Sequence, residues 1–206
     1  MTTEAPVKAP VRSRAAGFRD LYIAKIKENT ATTYTTETPL KLARAIKAKI
    51  SHKFTSEKVF SDDGVEETVQ SYEGTEVDID VNALAPQDRA DLFGMLYENG
   101  FLTGNKDDVA PEVAVGYRVK RLNKKYEFTW LYAGKFASGL EENYETQEDK
   151  VKTQTASLKG SFYERNIDGN YITSVDEGNL IEEYSDAKTA IENWFAKVQE
   201  PKKVAG

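Results

Sequence analysis

Hydrophobic residues in this chain return at every second position, run after run. Val77, Ile79 and Val81 alternate with Glu76, Asp78 and Asp80. Leu21 and Ile23, with Lys25, oppose Tyr22, Ala24 and Ile26, and Tyr126, Phe128, Trp130 and Tyr132 share one side of a third run. Successive side chains on a strand point to opposite faces, so a period of two fits half-buried strands and excludes an amphipathic helix over those residues. Leu42, Ile46, Ala48 and Ile50 fit a strand with Lys47 and Lys49 outward, although Ala and Lys also suit a helix. Val113–Val119, Val151–Thr155, Leu158–Tyr163 and Tyr171–Val175 add further strands, with turn signals at Asp63-Gly64 and Asp168-Gly169.

Two segments read as helix. Pro86–Tyr97 starts with Pro at its first position and Asp88 and Asp91 near its positive end; Leu92, Met95 and Leu96 form its stripe, and Asn99-Gly100 closes it. Ala187, Ala190, Ile191, Trp194, Phe195 and Val198 have the spacing of a short helix over about 187–198, capped by Ser185 or Asp186. The fold class is therefore mainly β: a β-sandwich or barrel with one flanking helix (about 86–97), a short C-terminal helix and extended arms. Residues 1–16 read as a mobile arm, 17–198 as one domain and 199–206 as a tail, since no linker interrupts the body.

Charge is unevenly spread. Asp62, Asp63, Glu66, Glu67, Glu73, Glu76, Asp78 and Asp80 lie between Ser61 and Asn82 with no Lys or Arg among them. The first 50 residues reverse the bias, with ten bases against four acids. Opposite charges on separate surfaces suit head-to-tail contact between copies, and a solvated acidic loop gives the same pattern. The net charge of −6 argues against a broad nucleic-acid grip. The chain has no Cys, which removes disulfides and thiol chemistry, and one His, which leaves little for a zinc site. No apolar run approaches a membrane span, and the first 16 residues lack the apolar core of a signal peptide.

Catalytic patterns are weak. His52 and its neighbour Ser51 point to opposite faces of a strand and cannot pair, so His52 reads as a surface or interface residue at a strand end. Asn166, Asp168, Asn170 and Glu177 approach calcium-loop spacing, but Tyr171 stands where the loop needs Gly. Gly94, Gly100 and Gly104 lack the strand-to-helix setting of a phosphate cradle. The bases Arg118, Lys120, Arg121, Lys124 and Lys125 before the aromatic run fit single-stranded nucleic acid, but a core-facing strand after a solvated turn explains them better in an acidic chain. No enzyme activity, cofactor or metal is expected.

An ordered set of segments resembles one family. It comprises Gly17-Phe-Arg-Asp-Leu-Tyr-Ile-Ala-Lys25, Leu42-Ala-Arg-Ala-Ile46, Phe60-Ser-Asp-Asp-Gly-Val-Glu-Glu-Thr68 and Glu76-Val-Asp-Ile-Asp-Val81 leading into Asp88-Arg-Ala-Asp-Leu-Phe-Gly94. Ala110-Pro-Glu-Val-Ala-Val-Gly-Tyr-Arg118, Phe128-Thr-Trp-Leu-Tyr-Ala-Gly-Lys-Phe136, Thr155-Ala-Ser-Leu-Lys-Gly-Ser-Phe162 and Ala190-Ile-Glu-Asn-Trp-Phe195 complete it. Together they resemble the major tail tube protein of long-tailed, non-contractile (siphovirus-type) bacteriophages, over about residues 17–196. The resemblance implies a virion protein of the tail, made in the host cytoplasm, whose hexameric rings stack into a tube for genome ejection. It implies itself, a tape measure protein and tail terminator and tip proteins as partners, with duplex DNA passing through the lumen, and no membrane. Within it, the hairpin from about Ser51 to Tyr72 is the expected contact between rings, through His52, Lys53, Phe54, Val59, Phe60, Asp62, Asp63, Gly64, Glu66, Glu67 and Tyr72. Acidic side chains are expected to make a lumen that does not retain DNA. The alternative from another class is a monomeric β-sandwich binding module for a receptor or capsid.

Overall fold

The computed structural model describes residues 9–61, 64–142 and 155–201; the side chains of 57, 59–61, 64–67, 138 and 139 lie outside what it describes, as does most of the expected strand Val151–Thr155. Its strands are β1 (Ala15–Asn29), β2 (Tyr34–Thr36), β3 (Leu40–Lys41), β4 (Ala45–Ser61), β5 (Gly64–Val81), β6 (Leu96–Glu98), β7 (Phe101–Thr103), β8 (Val113–Arg121), β9 (Tyr126–Glu142), β10 (Ala156–Tyr163) and β11 (Ile172–Asp176). Helices α1 (Pro86–Phe93) and α2 (Ser185–Glu192) complete the set. The protein is mainly β with one flanking and one C-terminal helix.

One antiparallel sheet runs in the order β2-β1-β8-β9-β10-β5-β4, with β3 on β1 and β11 on β9. Its two ends meet. Leu42 donates its N–H to Leu21 O at 2.9 Å and Asn82 to Arg44 O at 3.0 Å, so the short link from β3 to β4 joins the first side of the sheet to the last. The sheet therefore curls around one core that holds Leu21 and Ile23 of β1, Val77, Ile79 and Val81 of β5, Val113 and Val115 of β8, Phe136 of β9 and Leu158 of β10. Leu92 of α1 closes it.

The opposite face of β1, β8 and β9 carries a second core. Ala24, Ala114, Phe128, Trp130 and Tyr132 pack there under Trp194 and Val198. The alternation read in the sequence thus divides both β1 and β9 between two cores, and the aromatic run of β9 is a core face. Trp130 is fully buried, and its indole N–H donates to Trp194 O at 3.1 Å. α2 has eight residues, too few to hold as an isolated helix, so the C-terminal segment owes its place to these contacts. Each large buried side chain there contributes about 1.5–3 kcal/mol.

Several boundaries differ from the sequence reading. α1 ends at Phe93, not Tyr97, because Gly94 takes the left-handed conformation (φ 73°) and its N–H returns to Ala90 O. A Cβ there would lie 2.2 Å from Val109 O. Leu96 belongs to β6, and Asn99-Gly100, both at positive φ, turns β6 into β7 instead of closing a helix. The C-terminal helix is Ser185–Glu192, with Tyr184 at the cap position and no side-chain cap, and Trp194 to Val198 follow it outside the helix. Ile46 is 58% exposed instead of inward, because a bulge between Ala45 and Lys47 turns Ala45, Ala48 and Ile50 to the core. Asp168-Gly169 closes no hairpin between paired strands. β10 and β11 lie end to end on the same edge of β9, and residues 164–171 loop out between them.

Val11 and Asn179 are bonded, β1 starts at Ala15, and Glu200 is bonded to Arg165 at 2.6 Å.

Candidate functional site: an exposed ribbon and its aromatic root

β5 pairs with β10 only from Thr75 to Val81. Below Thr75 in number, its remaining partner is β4, and the pair continues to Ser61↔Gly64. Gly64 is thus in the ladder opposite Ser61, and the expected turn at Asp63-Gly64 falls in part on residues 62 and 63, which lie outside the described ones. From Phe54 to Ser61 the ribbon extends about 23 Å at a strand's rise per residue. Ser56, Lys58, Thr68 and Gln70 on one face and Val69 and Ser71 on the other are all exposed. An isolated two-stranded ribbon is marginal alone in water.

Its root is tied down by aromatic rings. Tyr72 stacks on Tyr171 with centroids 4.0 Å apart. Phe54, 53% exposed, meets the edges of Tyr72 and Tyr171 at 5.6 and 6.4 Å, and His52 meets Tyr171 at 5.4 Å. The buried Thr75 hydroxyl lies 2.7 Å from both His52 Nδ1 and Tyr72 Oη, within hydrogen-bond distance of each. Loss of hydration pushes the His52 pKa below its ordinary value, and burial raises that of Tyr72. A bulge at Glu73, beside Gly74, sets the angle at which the ribbon leaves.

Of the expected contact residues, His52, Phe54 and Tyr72 come together in this root. His52 lies within β4, opposite Thr75, not at a strand end. Lys53 turns to the other face and pairs with Glu76. Val59, Phe60, Gly64, Glu66 and Glu67 lie along the ribbon by register, with side chains outside the described ones. Tyr171, absent from the expected set, comes from the loop between β10 and β11; nothing near it in sequence signals this, because its partners are about a hundred positions away.

The acidic run divides at the same place. Asp80 and Asp78 stand opposite Lys47 and Lys49, and Lys53 takes Glu76. The sheet part of the run is therefore matched by lysines of β4, while the ribbon from Phe54 to Gly74 holds six acids and one lysine.

Among the described residues no group of three His, Asp or Glu is placed to hold a metal. Asp168 receives both Nε and Nη2 of Arg165, at 2.8 and 2.7 Å, and Glu177 receives the Tyr126 N–H at 3.0 Å, so the calcium-like spacing is not brought to one point. Among the described residues no helix is long and apolar enough to cross a membrane.

No family model matches the chain, and no curated protein matches it. Among solved structures, one described as the crystal structure of Hcp protein aligns over 76% of this chain and 99% of its own, at 14% identity and a TM-score of 0.34. At that identity and score the likeness carries no argument about what this chain does.

Proposed function

We propose that the chain is a structural, non-catalytic subunit that associates with copies of itself into rings and tubes, in the tail of a siphovirus-type bacteriophage. The observation that carries this is the β4–β5 ribbon, 17 and 18 residues in its two strands, most of whose described side chains beyond the root are exposed. A second copy would cover it and bury the exposed Phe54 and Val69. The ordered resemblance to tail tube proteins supplies the rest: stacked hexameric rings, a lumen through which duplex DNA passes unbound, tape measure and terminator partners, and a place in the virion. The monomeric binding module remains the second reading, favoured by the exposed Phe54 ring.

Negative-stain electron microscopy of the purified protein, dilute and then concentrated, tests this against a shortened chain. In that chain residues 56–70 are excised and Thr55 is joined to Ser71 through Asn-Gly, a turn that preserves the pairing of the root. Rings or hollow tubes from the full chain, and folded monomers from the shortened one, are expected. Monomers from both overturn the self-association reading, and tubes from both overturn the role of the ribbon.

A further inference from the structure

At the start of β1 and the turn after β8 the chain gathers bases that have no acidic partner. Arg12, Arg14 and Lys124 are exposed and Lys120 is half-buried, and among the described residues none of the four forms an ion pair. Their basic neighbours are already engaged: Arg118 with Asp20 at 2.6 Å, Arg121 with Glu127, and Lys125 with Glu177 at 3.2 Å. In their midst Leu122 is 67% exposed.

The arm that brings Arg12 and Arg14 here is fixed by its backbone. Asn179 clasps Val11, accepting its N–H at 2.7 Å and donating to its carbonyl at 3.2 Å. Ser13 O accepts from Arg121 Nη1 at 2.6 Å, and Arg14 O from the Leu122 N–H at 3.0 Å. The two arginines are therefore held beside the turn, along a shallow cleft of about 520 Å³.

We infer that this basic surface around Leu122 receives the acidic β4–β5 ribbon of a second copy. The inference rests on the self-association proposed above and names the other half of the contact. Charge is one argument: four surplus bases on the patch face a ribbon with six acids and one lysine. Placement is the other. Phe162 of β10 pairs with Gly134 of β9 on one side and Thr75 of β5 on the other, and β9 and β5 run in the same direction. The turn before Tyr126 and the tip of the ribbon thus lie at the same end of the sheet. Along the sheet β8 and β9 are separated from β5 and β4 by β10, while β1, which continues the arm of Arg12 and Arg14, lies beside β4 where the ends of the sheet meet. Two complementary but distinct patches on one subunit make a heterologous contact that a rotation repeats around a ring. Exposed ion pairs are individually weak, so the contact draws on several of them together with burial of Leu122 and Val69, and it weakens with salt.

Two double variants test this: Arg14→Glu with Lys124→Glu on the patch, and Glu66→Lys with Glu67→Lys on the ribbon. Arg14 and Lys124 are exposed, and circular dichroism checks that each variant is folded. Sedimentation is expected to show self-association weakened about tenfold or more in each double variant alone. An equimolar mixture of the two is expected to restore it, because the lysine ribbon of one meets the glutamate patch of the other, and the acidic ribbon of the second meets the basic patch of the first. The chain carrying all four changes is expected to associate like the wild type. If the wild type assembles and the patch variant assembles equally well, the patch is not the receiving surface and the self-association reading stands. If the wild type, the mixture and the fourfold variant all stay monomeric at every concentration, both readings fall.

Discussion

Arg165 is 3% exposed, an unusual place for a guanidinium. It forks onto Asp168, reaches Glu200 at 2.6 Å, and lies over the rings of Tyr132 and Tyr34 at 4.2 and 5.1 Å. Around it Tyr34 donates to Tyr132 O at 2.6 Å and Tyr132 to Gln199 O at 2.9 Å. Desolvation pushes the Tyr132 pKa up to about 12, so the hydroxyl stays a donor. One cation thus fastens the loop after β10, the short β2 and the C-terminal segment over the second core. Arg165→Met removes the fork onto Asp168, the reach to Glu200 and the cover over both rings, and is expected to cost about 2–4 kcal/mol. Arg165→Lys keeps the charge but loses the fork, and is expected to fall between the two. Urea unfolding of the three chains checks the order. In sequence the residue sits in Glu-Arg-Asn-Ile-Asp, which reads as an ordinary charged loop. Its importance comes from partners that folding brings from 130 positions upstream and 35 downstream.

Elements were legible where one physical rule decides them. Val77, Ile79 and Val81 are buried as their alternation requires, and the shared face of Phe128, Trp130 and Tyr132 is a core face. Alternation does not show bulges, which is why Ile46 was placed inward, nor which strands pair, which is why Asp168-Gly169 was read as a hairpin. The end of α1 was missed because Met95 and Leu96 continue the apolar spacing, while what stops the helix is a contact. Gly94 sits at φ 73° with the Val109 carbonyl where a Cβ would be. Gly94→Ala therefore meets both a left-handed backbone and a clash, and is expected to destabilise by about 1–3 kcal/mol. Gly100, also at positive φ but with open space around it, provides the control. Gly100→Ala carries the backbone cost alone, about 1 kcal/mol. Equal losses in the two variants, measured by thermal unfolding, would show that packing against Val109 has no part in stopping the helix.

Across the whole molecule, Asp20 and His52 are the described groups whose shifted titrations bear on acid stability, and they act in separate pH windows. Burial works to raise the Asp20 pKa, but ion pairs with Lys41 and Arg118, each at 2.6 Å, outweigh it and hold the carboxyl below its ordinary value of 3.8. A carboxyl lowered by folding contributes stability that is present above the unfolded value and lost as pH falls through the folded one. For His52 the shift is also downward, from 6.5, because burial disfavours the imidazolium. The unfolded chain then binds its proton first, so this contribution is complete above about pH 6.5 and is lost as pH falls through the folded value. Stability is therefore expected to decline on acidification in two stages, one as pH falls below the ordinary histidine value of 6.5 and one as it falls below the ordinary aspartate value of 3.8. His52 is the single histidine of the chain, which makes the first stage assignable. His52→Gln keeps a group able to bond Thr75 and is expected to flatten it, while Asp20→Asn flattens the second. Unfolding free energies from urea titrations between pH 7.5 and 3 read both. The two stages also differ in place. His52 stands at the root of the ribbon, against Thr75 and Tyr171, so its protonation loosens the element proposed to join one copy to the next while the two cores stay intact. Association is accordingly expected to weaken at a higher pH than folding does, and in the His52→Gln chain that gap is expected to close. Association and folding lost together in the wild type would separate the ribbon root from any role in assembly.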